Sequence, residues 1–181
     1  MRHLLAPIFA SLLFVIFPAQ GVERLPAQGS IELAFPPEDN AIHLIVQALR
    51  QAKQKIRVQA FSFTSNEIAF ALIEAKRRGV DVQVVADAEQ SRTLVNSRIR
   101  LLAEAGIPVW LDDQHSAAHS KVIIIDPGTA QATVITGSMN FTYAGQFKNA
   151  ENVLILRGNP RLADAYAANW QRHRQHSRSH P

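Results

Sequence analysis

Residues 55–89 read KIRVQAFSFTSNEIAFALIEAKRRGVDVQVVADAE. Ile56, Val58 and Ala60 alternate with Arg57 and Gln59, the period of a strand. Phe61 and Phe63 then shift the apolar groups to the other face, so the end of this strand is expected to be covered on both sides. Thr64 or Ser65 is placed to cap a helix, and Gly79 closes it. VDVQVVADAE, residues 80–89, is again a strand. A strand–helix–strand run of this kind is a βαβ unit, with parallel strands and a helix lying on the sheet.

Outward from this unit the alternation continues. SIELAF (30–35), IPVWLDD (107–113), KVIIID (121–126), ATVITGSM (132–139) and ENVLILRG (151–158) read as strands. AIHLIVQALRQAKQ (41–54), SRTLVNSRIRLLAEAG (91–106) and NPRLADAYAANWQRH (159–173) read as helices. The strands after residue 107 follow one another closely, so part of the sheet is expected to be mixed or antiparallel. The expected fold is α/β: a mixed, largely parallel β-sheet sandwiched by helices on both faces. The chain has 181 residues, 47% hydrophobic and 19% charged, enough for one well-formed core. It has no cysteine, which excludes disulfides and thiolate metal sites.

The N-terminus is different in kind. A basic MRH is followed by LLAPIFASLLFVIF (4–17) and by PAQG, with small residues at Ala19 and Gly21. This is the layout of a secretory signal peptide, and the run is shorter than the roughly 20 residues that span a bilayer. Residues 1–21 are therefore expected to be a signal peptide and 22–181 a single domain, exported to the periplasm or secreted.

Polar residues crowd the ends of two apolar strands. His119 and Lys121 precede Val122–Ile125, Asp126 follows it, and Ser138 and Asn140 end the next strand. Strand ends open into crevices, where α/β sheets bind ligands. The pattern His119-x-Lys121-x4-Asp126, then Gly137-Ser138-x-Asn140, with Glu151 eleven residues further on, resembles the signature of the phospholipase D superfamily. Residues 61–87 and the tail GQFKNAENVLILRGNPRLADAYAANW are similar to the short, secreted bacterial endonucleases of that superfamily, and the likeness covers roughly residues 30 to 172. The resemblance implies the phospholipase D/nuclease fold and a catalytic set of His119, Lys121, Asp126, Asn140 and Glu151. Lys121, Ser138 and Asn140 would bind the substrate phosphate. The family role of Glu151 is to hydrogen-bond the imidazole, and that of Asp126 is structural or late acid.

The chemistry stands on its own. Neutral imidazole is not repelled by an anionic phosphodiester and can form a covalent intermediate. A second, protonated imidazole can donate to the leaving oxygen. Lys121 and Asn140 would stabilise charge on the non-bridging oxygens. None of this requires a metal or cofactor. The motif occurs once, so the simplest source of a second histidine is a homodimer sharing its site across a twofold axis. A rival metal-dependent reading uses Asp112, Asp113, His115 and His119, but the His115-x3-His119 spacing needs a helix that Pro108 and the strand-rich context oppose.

The formal net charge is +4, and Arg172, Arg174 and Arg178 with His173, His176 and His180 form a basic C-terminal tail. Such a tail suits phosphate backbones, anionic lipid surfaces or simply solvent. Trp170 is expected under the last helix rather than stacked on a base. The expected function is a metal-independent, sequence-nonspecific endonuclease acting on DNA or RNA through a phosphohistidine. The alternatives are a hydrolase of anionic phospholipids such as cardiolipin, with the membrane as partner, and a non-catalytic nucleic-acid-binding module.

Overall fold

The computed structural model describes residues 21–180. The proposed signal peptide lies almost wholly outside the described residues. In chain order the strands are β1 (Ser30–Ala34), β2 (Lys55–Ala60), β3 (Asp81–Asp87), β4 (Val109–Asp112), β5 (Val122–Ile125), β6 (Thr133–Gly137), β7 (Val153–Arg157) and β8 (Arg178–Ser179). The helices are α1 (Ala41–Gln51), α2 (Asn66–Arg77), α3 (Ala88–Thr93), α4 (Ile99–Glu104), α5 (Tyr143–Phe147) and α6 (Pro160–His176). All eight strands form one sheet in the order β1-β7-β6-β5-β2-β3-β4-β8.

Only β2–β3 and β3–β4 are parallel. The pairs β1–β7, β7–β6, β6–β5, β5–β2 and β4–β8 are antiparallel. The sheet is mixed, as expected, but its balance is antiparallel rather than parallel. Two causes act: the seven-residue link between β5 and β6 is too short for a crossover, so β6 turns back on β5, and β1 and β5 pair antiparallel with the distant strands β7 and β2.

Helices cover both faces. Ile56, Val58, Val82, Val84, Ile123 and Ile125 point into a core closed by α1, α2 and α4. Val85, Val122, Ile124 and Val134 point to the opposite face, where Ala163 and Trp170 of α6 meet them. Trp170 lies under the last helix: it is buried, its Nε1 donates to the Val58 carbonyl (2.8 Å), and its ring meets Trp110 edge-on. Burying a tryptophan with its N–H satisfied fixes a helix both by area and by direction.

The helix expected over 91–106 is two. Asp87 ends β3 and caps α3 through Gln90 N, and the chain leaves helix at Leu94 before α4. Arg98 N bonds the Phe63 carbonyl (2.9 Å), which ties this break to the end of β2. The last helix runs on to His176, and β8, with no counterpart in the hydropathy pattern, adds to the edge at β4.

Asp126 sits just beyond β5 with a left-handed φ of 48°, which aspartate tolerates better than most residues. Its carboxylate accepts from Lys53 N (2.8 Å), Gln54 N (2.7 Å) and Lys55 N (2.8 Å). It thus closes the turn that leads into β2. Asp126→Ala removes the acceptor of three backbone donors and is expected to cost about 2–4 kcal/mol. Urea denaturation checks this, and a loss below about 1 kcal/mol would mean that water replaces the carboxylate.

Candidate active site

Sheet register decides which polar residues meet. Val122 pairs with Gln59 and with Thr136, and Gly137 pairs with Val153. The start of β5, the end of β2, the end of β6 and the start of β7 therefore lie at one end of the sheet. His119 and Lys121, Ser138 and Asn140, and Glu151 all flank those ends. This is also the C-terminal end of the parallel strands β2 and β3, where open sheets place ligands. Gly137 allows the close passage of β6 beside β7: a Cβ there would come within 2.2 Å of the Asn152 carbonyl oxygen.

Lys121 is buried, and its ammonium donates to the His119 carbonyl (2.5 Å) and to His119 Nδ1 (2.9 Å). Burial pushes the Lys121 pKa down from its ordinary value, and the negative charge of Glu151 opposes that shift. The Phe61 ring packs on the His119 ring at 4.5 Å and lies 5.0 Å from the Lys121 ammonium. His119 itself is exposed, which leaves its Nε2 side open to a substrate. Asn140 Oδ1 lies 3.5 Å from Ser62 N, at the edge of hydrogen-bond range.

Glu151 accepts from Ser138 Oγ in a short hydrogen bond and from Asn149 Nδ2 (3.0 Å). Ser138 Oγ in turn accepts from Asn152 N (3.0 Å) and Nδ2 (3.2 Å). In this conformation Lys121 rather than Glu151 bonds His119 Nδ1, and Glu151 reaches the site through Ser138 and through its field on Lys121.

Asp126 does not join the site. Four residues lie between it and Lys121, a span of roughly 16 Å along an extended strand. Its oxygens are taken by backbone N–H groups at the opposite end of the sheet. Of the two roles that the resemblance implies, the geometry supports the structural one and corrects the catalytic one.

The rival metal set is rearranged as well. Asp112 and His115 do meet, but with His173 and His176 of α6, and His119 is not among them. The basic tail is not a free arm either. His173 and His176 bond Asp112, Arg178 bonds Asp113 (2.5 Å) and Arg174 lies over Trp110 (4.5 Å). Phe61 and Ser62 are candidate-site residues that sequence reasoning missed. The one available signal was the face change at Phe61.

Comparison with known proteins identifies the family. The family described as "Cardiolipin synthase, PLD-like domain" matches residues 45–174. Phospholipase D of Rickettsia typhi is 38% identical over 141 residues, covering 78% of this chain and 66% of that protein. Mitochondrial cardiolipin hydrolase of Homo sapiens is 33% identical over 137 residues, covering 76% of this chain and 52% of that protein. The chain thus spans about two thirds of the rickettsial relative and half of the human one. The crystal structure of Nuc from Salmonella typhimurium, a phospholipase D family member, superposes with a TM-score of 0.76 at 38% identity, covering 83% of this chain and 97% of that one.

Removing the Glu151 charge should lower the Lys121 pKa further, because Glu151 raises it. The alkaline limb of a phosphodiesterase pH profile should therefore move to lower pH in Glu151→Gln. An unmoved limb with the same turnover would show that Glu151 does not act through Lys121. With its motif entire, a family match over residues 45–174 and a fold matched over 83% of its length, the chain belongs to the phospholipase D superfamily of phosphodiesterases.

Proposed function

We propose that this protein is a sequence-nonspecific endonuclease that cleaves DNA or RNA through a covalent phosphohistidine at His119, without a catalytic metal. The observation that carries the proposal is the convergence of an exposed imidazole, a buried lysine and an amide at one sheet end. Nucleic acid is favoured over lipid by the likeness to the short endonucleases and by coverage of 97% of Nuc. The lipid reading has its own support in the 33% identity to a cardiolipin hydrolase.

His119 attacks phosphorus, forming an N–P bond while the P–O bond to the leaving group breaks. An imidazolium donates its proton to that oxygen. Water then attacks phosphorus, a neutral imidazole accepts its proton, and the N–P bond breaks. With Lys121 donating to Nδ1, the proton of a neutral His119 ring lies on Nε2. An arriving phosphate draws the ammonium away and releases Nδ1 to carry the proton, which exposes the Nε2 lone pair for attack. Lys121 and Asn140 then hold the non-bridging oxygens, and Ser138 is placed to contact them.

The acid is a second His119, from the other chain of a homodimer. The exposure of His119 and the exposed, paired rings of Tyr143 and Phe147 just after Asn140 support this arrangement. Two facing imidazoles titrate as a pair and give a bell-shaped pH profile. Export through the N-terminal segment fits a scavenging or degradative nuclease.

Incubating the protein with plasmid DNA, RNA and cardiolipin-containing vesicles in parallel tests the substrate class. Nucleic-acid cleavage that falls steeply with salt is expected, whereas turnover of vesicles alone would establish the lipid reading. His119→Ala should lose at least about 1,000-fold in rate while staying folded. Lys121→Arg should not restore what Lys121→Ala loses, since the guanidinium differs in shape and donor geometry. Heterodimers of wild type with His119→Ala should be severely impaired, and half activity from a verified heterodimer would reject the shared site.

A further inference from the structure

Asp112 ends β4, and its carboxylate is fully buried. Three imidazoles converge on it. His173 Nδ1 lies 2.8 Å from Oδ2, His176 Nε2 lies 3.2 Å from it and His115 Nδ1 lies 3.1 Å from it. Gln114 N bonds the other oxygen, Oδ1 (3.1 Å). The three rings stand 5.0, 5.2 and 5.3 Å apart, centroid to centroid. One donor atom from each of Asp112, His115, His173 and His176 lies within 4.8 Å of every other.

One buried carboxylate needs no three imidazoles to satisfy it. Protonating all three would set like charges against one another, and leaving all three neutral crowds them around one anion. A cation at the centre resolves both problems. Four nitrogen and oxygen donors without thiolate suit a tetrahedral divalent transition metal. The edge of such a tetrahedron is roughly 3.3 Å for metal–ligand bonds of about 2.0–2.1 Å. Side-chain shifts on the order of 1 Å therefore close the set around an ion.

We propose that Asp112, His115, His173 and His176 form a binding site for a divalent transition metal, with Zn2+ the best fit. Four protein ligands make a closed site, which is structural in character rather than catalytic. His173 and His176 stand three residues apart on the last turn of α6, so both point the same way. His173 follows Ala163, Tyr166 and Trp170 along the face that α6 lays on the sheet. His115 belongs to the loop that leads to His119. The ion would therefore fasten the end of α6 to the segment that delivers the nucleophile. A small cavity lined by Gln59, Ala118, Ser120 and His173 lies between the two. The ion takes no part in the phosphoryl chemistry, and the proposal is independent of the substrate class.

Protein stripped with a chelator is titrated with Co2+ and then with Zn2+. The expected result is one equivalent of Co2+ with the strong visible absorption of four-coordinate cobalt, displaced by Zn2+, and a higher Tm with Zn2+ bound. His115→Ala and His176→Ala both remove partly exposed rings that the fold can lose. Each should weaken Co2+ binding by at least about 100-fold, the upper end of what even outer-shell losses cost. His119→Ala should bind as the wild type does. The proposal is overturned by a weak six-coordinate spectrum, by absence of saturable binding, or by affinity unchanged in both histidine variants. It is equally overturned if His119→Ala abolishes binding, because the ion would then sit at the catalytic histidine.

Discussion

The Asp126 carboxylate, bonded to three consecutive backbone N–H groups at Lys53, Gln54 and Lys55, is the constraint on which the site depends. It locks the end of β5 to the start of β2 and so sets the antiparallel register between them. With side chains alternating along a strand, a slip of one residue would turn Ile123 and Ile125 out of one core and Ile124 out of the other. It would also turn Lys121 away from the site. The motif is thus one device with two ends: an anchor at Asp126 and the proposed reactive pair, His119 and Lys121, joined by four buried residues.

At the reactive end, electrostatics are balanced rather than maximised. Lys121 is buried enough to lose some of its affinity for a proton, and Glu151 restores part of it. Glu151 is itself held by Ser138 and Asn149 on the turns that flank β6 and β7. Phe61 covers both His119 and Lys121 and keeps water from one side. Charge stabilisation in such a partly dry crevice is stronger than in bulk water. Asp112 shows the same logic a few strands away. Burial alone would raise its pKa, but hydrogen bonds from His173, His176 and His115 outweigh this and hold it well below the usual carboxylate range.

Much of this was legible in the chain. The alternation in KIRVQA and VDVQVVAD, the capping residues Ser65 and Asn159, and Gly79 place β2, β3, α2 and α6 within a few residues. His119, Lys121, Ser138 and Asn140 were readable as strand-end polar groups, and register then brought them together. What could not be read was anything set by pairing between distant segments. The antiparallel balance of the sheet depends on which neighbours β5 and β1 choose. The arrival of His173 and His176 at Asp112 depends on α6 crossing the opposite face, so two residues that look like part of a basic tail become an inner cluster. The contact of Glu151 with Ser138 rather than with His119 is a matter of ångströms, which no pattern in the sequence encodes.

The central claim is that His119 is the nucleophile of a two-step phosphoryl transfer. A reaction with a short oligonucleotide, quenched during its first turnover and digested for mass spectrometry, tests it most directly. The account predicts a phosphoryl-linked adduct on the peptide bearing His119, formed and then lost as turnover proceeds. An adduct on another residue, or cleaved product in the first turnover with His119 unmodified throughout, would contradict it.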